Sequence, residues 1–304
     1  MLLQRLSRSS GAAAAAAAAA AACRSASSPA ASILPRATIA SSLRQRRERR
    51  ELHQVQQLSY EKEFVEHGVP GLLSRDGFDI SWTKYQALMM EKLNEITAGF
   101  DAEHATTKQL VLQYARNPAT AALFNHASMA HNNEFFFNAL SPAPTALERY
   151  SGLQKSLISA FGSIETLRQT MLHTADSMFG PGFVWLVYTK DGNWRILNTY
   201  LAGTPYAEAG YRQQDRDMNT VANTAGAFGV SSAAGKKQAA LPPGAVSVVP
   251  VLCVNTWEHV YLADFGVDGK QEYLQRWWDA INWYSVNNLT PDSMKDQTLG
   301  KFVS

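Results

Sequence analysis

The sequence predicts an α+β protein, in which an N-terminal helical hairpin is followed by an α/β domain with a three-stranded antiparallel sheet. Two patterns predict this class. Apolar residues recur at three- and four-residue spacing up to about residue 140, as they do on the buried face of a helix. Short apolar runs rich in valine and aromatic residues follow after residue 182, as in strands. With 304 residues, 46% of them hydrophobic, the chain can bury a sizeable core.

Three helices are predicted in the first half. The first covers residues 76–97, with Asp79 as a candidate N-cap. The second covers residues 106–116, and the third runs from about residue 119 to residue 140, ahead of Pro142. The residues expected on their buried faces are Phe78, Trp82, Tyr85, Met89, Leu93, Leu123, Met129, Phe136 and Leu140.

Helices and strands are both predicted in the second half. Residues 144–178 again show helical spacing, and the Asp191-Gly192 pair is a strong hairpin signal. A last amphipathic helix is predicted over residues 271–287, with an apolar face that includes Tyr273 and Tyr284. The predicted strands are residues 183–188, 194–200 and 245–254.

The N-terminal region has the composition of a mitochondrial transit peptide. Residues 1–50 contain nine arginines, are rich in alanine and serine, and have Glu48 as their first acidic residue. We therefore expect a transit peptide over residues 1–45; the alternative is a low-complexity tail. Because this region carries +8 and the whole chain +2, residues 51–304 carry the difference, −6. A body of that charge does not coat nucleic acid by itself.

Further boundaries follow from composition. We expect a surface arm over residues 46–75, the helical hairpin domain over residues 76–142 and the C-terminal α/β domain over residues 143–304. Residues 205–243, rich in Ala, Gly, Gln, Asn and Ser, show no periodicity and are predicted to be a low-complexity surface insertion.

The sequence also argues against three kinds of structure. Cys23 falls in the predicted transit peptide, which leaves Cys253 alone and excludes a disulfide framework or a cysteine-based zinc site in the body. The alanine tract at residues 12–22 is too short and too weakly hydrophobic to span a bilayer, so we expect no membrane association.

The most informative stretch runs from Asn255 to Leu262, where the third strand meets a helix. Its Trp257-Glu258-His259 run could place an imidazole inward and a carboxylate outward, as in a metal ligand with its support. The same run would also remain in a metal site that has lost its other ligands. His131 and Glu134, about one helical turn apart, could belong to a different metal site, although a polar surface pair is the simpler interpretation.

Four motifs together resemble the iron/manganese superoxide dismutase family, over about residues 76–205 and 245–290. The order of helices and strands also matches that family. The Trp-Glu-His corner and the closing Ile-Asn-Trp are specific in combination, whereas aromatic runs alone would be weak. The motifs are Phe135–Pro142, Gly180–Leu186, Asn255–His259 and the segment from Tyr273 to Trp283.

The resemblance implies a site with one iron or manganese ion, held by three histidines and one aspartate. Aligned by the motifs, those four ligands fall at Ser81, Asn133, Asn255 and His259, so only His259 is kept. A single imidazole cannot hold a redox metal. We therefore expect no cofactor, no metal site and no catalytic residue, and the chain is predicted not to be an enzyme. Aromatic side chains are expected to fill the space that the metal would occupy.

The resemblance also implies a subunit interface. In the family, the glutamate of the Trp-Glu-His corner in one subunit meets the ligand histidine of the other, which indicates Glu258 and His259 here. A second bridging pair of the family, a histidine and a tyrosine, falls at Tyr85 and Leu262, so that pair is lost. Glu258, His259 and Tyr85 are thus the predicted interface residues. The alternative is that Glu258 is simply a carboxylate at a helix N-terminus.

The sequence is further similar to the non-catalytic dismutase-like proteins of fungal mitochondrial small ribosomal subunits. This resemblance lies mainly in Trp82–Gln86 and Asn132–Phe137. It implies a structural component of the mitochondrial ribosome in the matrix, which pairs with a second dismutase-like subunit and has limited rRNA contact. The alternatives are an active or rearranged Fe/Mn (or Zn) metalloenzyme of the matrix, and a free matrix binding protein.

Overall fold

The computed structural model describes residues 53–209 and 247–292. The predicted transit peptide, the start of the predicted arm and most of the predicted insertion lie outside these ranges. Within them, helices are followed by a three-stranded antiparallel sheet and then by further helices. This order confirms the predicted α+β class. Every helix in the described ranges is too short or too polar to span a bilayer.

Residues 53–75, the described part of the predicted surface arm, are mostly exposed, and a few buried apolar residues attach them to the rest of the described chain. They contain helix α1 (Glu61–His67), whose Phe64 is fully buried. The Asn94 side chain fixes the start of the segment, accepting a hydrogen bond from the His53 N–H (2.8 Å) and donating one to the His53 carbonyl (2.9 Å). Apolar residues here are irregularly spaced, so their burial depends on tertiary contacts that periodicity does not reveal.

The first long helix of the hairpin is continuous but not uniform. It consists of α2 (Arg75–Phe78), a π-helical stretch (Asp79–Lys84) and α3 (Tyr85–Thr97). These bounds confirm the helix predicted over residues 76–97. The π-helical stretch carries Ser81, and π-helical turns occur often at functional sites.

The predicted N-cap of this helix was wrong. Ser74 is the cap, because its Oγ accepts a hydrogen bond from the Gly77 N–H (3.0 Å) and its backbone is extended. Asp79 lies inside the continuous helix, where its carboxylate pairs with Lys84 Nζ (2.7 Å). Serine and aspartate are both good caps, so composition alone did not distinguish the two positions.

The second arm of the hairpin contains α4 (Thr107–Tyr114) and α5 (Ala121–Asn138), as predicted. Thr106 and Gln109 form a capping box that starts α4, satisfying two backbone N–H groups. A 3₁₀ turn, Pro118–Thr120, leads into α5. The buried residues of the hairpin include, as predicted, Phe78, Trp82, Met89, Leu93, Leu123, Met129, Phe136 and Leu140.

Two helices connect the hairpin to the sheet. They are α6 (Ser151–Phe161) and α7 (Ile164–Asp176), within the region predicted to be helical. Gly162 ends α6 in a left-handed conformation (φ 83°), which glycine adopts without steric cost. Ser163 then caps α7 by accepting a hydrogen bond from the Thr166 N–H (3.0 Å).

The sheet has the strand order β2-β1-β3, with antiparallel pairing on both sides of the central strand. The strands are β1 (Gly182–Thr189), β2 (Trp194–Tyr200) and β3 (Val248–Asn255). Trp185 in β1 pairs with Leu197 on one side and Cys253 on the other. Because β1 is central and nearly all of its residues are buried, it forms the middle of the core.

The start of the predicted insertion is packed rather than exposed. Residues 205–209 contain a 3₁₀ turn, Ala207–Ala209, and Tyr206 is buried. The Lys108 ammonium lies 4.8 Å from the centroid of the Tyr206 ring, a cation–π contact that joins this segment to α4.

The last predicted helix is in fact two. After α8 (Glu258–Phe265), the chain forms α9 (Lys270–Asp279) and α10 (Trp283–Leu289), where one helix over residues 271–287 was predicted. The break falls where Asn282 N–H donates to the Ala139 carbonyl (2.8 Å) and Ile281 bridges to Leu140. These contacts with the end of α5 replace helical hydrogen bonds, so tertiary pairing overrides the apolar periodicity.

The break also changes the predicted apolar face. Asn282 caps α10 by accepting a hydrogen bond from the Tyr284 N–H (3.2 Å). Tyr284 is consequently 54% exposed, whereas Tyr273 is fully buried as predicted.

Candidate functional site

The corner between β3 and α8 is held by hydrogen bonds on both sides. Asn255 ends β3, and its Oδ1 accepts a hydrogen bond from the Trp257 N–H (2.9 Å). Thr256 donates twice to the Gly182 carbonyl, from its N–H (2.9 Å) and from its Oγ1 (3.0 Å). The corner is therefore attached to the start of the central strand, which fixes where the Asn255 side chain points.

Three of the four predicted ligand positions meet in one buried network. Asn133 Nδ2 donates to the Ser81 carbonyl (3.1 Å) and to Gln86 Oε1 (3.3 Å). Asn133 Oδ1 in turn accepts a hydrogen bond from Asn255 Nδ2 (3.2 Å). Ser81, Gln86, Asn133 and Asn255 are all fully buried. Residues from α3, α5, the π-helical stretch and β3 thus form a continuous network of neutral amides.

The outer groups of this network are also satisfied. Gln86 Nε2 donates to the Ala130 carbonyl (2.9 Å), and Ser81 Oγ donates to the Gly77 carbonyl (2.7 Å). Tyr273 OH donates to the Asn255 carbonyl (2.8 Å) from α9. A buried polar network stabilises a fold when its polar groups have hydrogen-bond partners, as the groups named here do.

His259 occupies the fourth ligand position but stands outside the network. Its ring stacks on Tyr85, with ring centroids 4.1 Å apart and planes inclined by 18°. Its Nε2 is buried and has no hydrogen-bond partner among the described residues. Burial lowers the pKa of His259 to about 4, so the imidazole is neutral at pH 7.

These residues do not fit the family's iron or manganese. A redox site of that kind needs imidazole nitrogens and a carboxylate in fixed geometry. Here the positions offer a serine hydroxyl committed to Gly77, two amides committed to each other, and one imidazole. Within the described ranges, no group of three or more His, Cys, Asp or Glu could hold a metal ion.

Sequence reasoning missed two members of this site. Gln86 lies four residues after Trp82 on the same buried helix face, and a glutamine at such a position is a signal that a partner exists. Tyr273 was recognised as a core residue, but its hydroxyl contact with Asn255 depends on where α9 lies relative to the end of β3. Aromatic side chains were expected to fill the space of the metal ion, and Trp82, Phe136 and Phe137 are indeed buried. The ligand positions themselves, however, are joined by amide side chains.

His131 and Glu134, the other candidate metal pair, border the same two clefts on α5. His131 Nε2 lies 2.9 Å from Tyr206 OH, within hydrogen-bonding distance. Burial, with a smaller effect of Lys108, lowers the pKa of His131 to about 4, and burial raises that of Glu134.

Of the three predicted interface residues, His259 and Tyr85 are in contact, and Glu258 precedes His259 in the chain. Glu258 is the first residue of α8, where a carboxylate is favoured by the helix dipole, and it is half-buried. His259 and Tyr85 are also half-buried and stacked on each other. All three therefore retain some accessible surface.

Comparisons with known proteins find similarity to superoxide dismutases and to small ribosomal subunit proteins. A sequence profile described as iron/manganese superoxide dismutases, C-terminal domain, matches residues 149–213 and 220–289. Small ribosomal subunit protein mS42 of Schizosaccharomyces pombe is 34% identical over 184 residues, which cover 59% of this chain and 71% of that protein. Small ribosomal subunit protein mS43 of the same yeast is 27% identical over 230 residues, covering 73% and 81%. An iron superoxide dismutase of Babesia bovis is 26% identical over 215 residues, covering 71% and 86%.

Proposed function

Because this chain belongs to the iron/manganese superoxide dismutase family, we propose that it is a non-catalytic member of that family and a structural component of the mitochondrial small ribosomal subunit. Two of the similar proteins are small ribosomal subunit proteins, and mS42 shares 34% identity against 26% for the iron dismutase of Babesia bovis. The function of the ribosomal relatives is therefore the better guide.

The observation that carries this proposal is the amide network at the ligand positions. Asn133 and Asn255 hold each other through a buried hydrogen bond of 3.2 Å, in the places where the family has a histidine and the aspartate. An amide is a weaker ligand for iron or manganese than an imidazole or a carboxylate. The network gives these residues a structural role, which is to join α5 to β3 without a metal ion.

A rearranged metalloenzyme is less well supported. His131 and Glu134 would need further protein ligands, and no suitable group of three exists in the described part of the chain. The dismutase relatives are enzymes by name, but their chemistry requires ligands that Ser81, Asn133 and Asn255 do not supply.

The proposal includes a protein partner. A second dismutase-like subunit would cover Tyr85, Glu258 and His259, which are half-buried in this chain. Tyr85 and His259 stack on each other. Contact with rRNA would be limited, because residues 51–304 carry −6. Entry into the matrix would depend on residues 1–45, whose arginine-rich composition is that of a transit peptide.

Depletion of the protein in its source organism tests this function. We expect mitochondrial protein synthesis to fall and free large subunits to accumulate, because a structural component of the small subunit is missing. An active manganese superoxide dismutase targeted to mitochondria is the control, and it should not restore translation. Normal translation after depletion, or rescue by the active dismutase, would contradict the proposal.

A further inference from the structure

A cleft of about 300 Å³ opens between α5 and α10. Glu134 and Asn138 line it from α5, and Ser285 and Asn288 from α10, together with Ser59 from the segment before α1. We call it the α5–α10 cleft. Glu134 is the one carboxylate among its lining residues, and the other polar groups are hydroxyls, amides and the His131 imidazole. The metal-ligand positions do not border this cleft.

The Glu134 carboxylate is partly desolvated and has no partner among the described residues. It is half-buried, and no hydrogen bond or ion pair joins its side chain to any residue in the described ranges. Its half-buried position costs the charged form part of its hydration. A carboxylate that borders a cleft without a counter-charge is available to a cationic ligand.

Neighbouring basic groups do not neutralise Glu134. Lys108 lines a second cleft of about 450 Å³ that Glu134 also borders, but its ammonium lies over the Tyr206 ring at 4.8 Å. His131 borders both clefts, and its Nε2 lies 2.9 Å from Tyr206 OH. Because burial keeps that imidazole neutral at pH 7, it supplies no positive charge.

The cleft walls fit the two chemical parts of an arginine side chain. Phe135 and Leu289 provide apolar surface, against which an aliphatic stem can pack. The Glu134 carboxylate can accept two parallel N–H bonds from a guanidinium, and Asn138 adds a neutral acceptor. We propose that the α5–α10 cleft binds an arginine side chain of a partner polypeptide, with the guanidinium on Glu134.

A divalent cation fits less well than an arginine. Magnesium and calcium require several oxygen ligands, including more than one carboxylate in most protein sites, whereas Glu134 is alone in this cleft. The charge of the body also favours a basic polypeptide, since residues 51–304 carry −6.

Peptide binding to the purified chain tests this inference. The probe is a fluorescent peptide with three arginines, and its matched control has citrulline, the neutral isostere, in place of each arginine. We expect the arginine peptide to bind about ten-fold more tightly than the citrulline peptide, as for a charge-assisted pair. Glu134→Gln should remove that difference. Glu148→Gln, at an exposed carboxylate elsewhere, should change affinity less than two-fold.

Two further readouts separate the possible outcomes. Thermal unfolding of Glu134→Gln should occur at the same temperature as in the unchanged chain or higher, because a desolvated charge is removed. A clear loss of thermal stability would show that Glu134 has an internal partner and would overturn the inference. Equal peptide binding by Glu134→Gln and the unchanged chain, or displacement of the peptide by millimolar magnesium, would overturn it as well. None of these measurements requires the ribosome, so they are independent of the proposed function.

Discussion

Replacing Asn255 by aspartate tests the amide network at its central hydrogen bond. The substitution restores the residue type that the family uses as a metal ligand and changes one NH₂ group to an oxygen. That group, Asn255 Nδ2, donates to Asn133 Oδ1 at 3.2 Å, and both side chains are fully buried. In the variant, two oxygens would face each other without a proton between them.

The expected loss of stability follows from the interactions that the substitution removes. Leaving Asn133 Oδ1 unsatisfied costs roughly 1–3 kcal/mol, and an uncompensated buried charge costs roughly 3–5 kcal/mol in comparable cases. We expect Asn255→Asp to lower the free energy of unfolding by at least about 3 kcal/mol at pH 7, the lower end of the larger of these two costs. For a domain of this size, that corresponds to a fall in melting temperature of at least about 6 °C.

Urea denaturation at several pH values is the assay, with Asn125→Asp at an exposed position of α5 as the matched control. Burial should raise the folded-state pKa of the new carboxyl above its unfolded value, so the penalty should shrink as pH falls and the carboxyl protonates. If Asn255→Asp were as stable as Asn125→Asp at pH 7, or if manganese restored its stability, the interpretation of the network as a metal-free structural element would be refuted.

Three further predictions concern other parts of the structure. Burial lowers the pKa of His131 to about 4, below its unfolded value, so the unfolded state takes up a proton first as pH falls below about 6.5 and the free energy of unfolding decreases. His131→Gln should reduce the loss of stability between pH 7 and pH 5, measured by urea titration, by at most about 2 kcal/mol. Phe136→Ala, in the fully buried core, should cost roughly 3–5 kcal/mol in the same assay, and a cost under 1 kcal/mol would contradict its core position. Tyr85→Ala combined with Glu258→Lys should reduce recovery of a second dismutase-like subunit in affinity purification by about ten-fold, and unchanged recovery would remove both residues from the proposed interface.

Local patterns were sufficient to predict most of the fold. The first hairpin helices, the three strands and the apolar faces follow from spacing, because each element buries one side against the same core. The break between α9 and α10 was not predictable in this way, since Asn282 leaves the helix to bond with the Ala139 carbonyl, a residue far away in sequence. The choice of Ser74 over Asp79 as the cap likewise depends on where the backbone becomes extended.

The sequence predicted which residues occupy the ligand positions, but it did not predict the hydrogen bonds between them. Alignment to the family motifs places Ser81, Asn133 and Asn255 in the ligand positions, and the structure brings these three residues together. Their mutual hydrogen bonds, and the participation of Gln86, depend on the relative placement of α3, α5 and β3. Amide side chains can pair with many partners, so residue type alone does not specify which pairs form.

Sedimentation of mitochondrial extracts through a sucrose gradient tests the central claim most directly. The extract carries an epitope-tagged copy of the full chain, and the ribosomal subunits are separated by lowering the magnesium concentration. We predict that the tagged chain sediments with the small ribosomal subunit, at about one copy per subunit, and is depleted from the large-subunit fractions. Recovery of the chain only at the top of the gradient, in fractions with superoxide dismutase activity that is lost on its removal, would contradict the account.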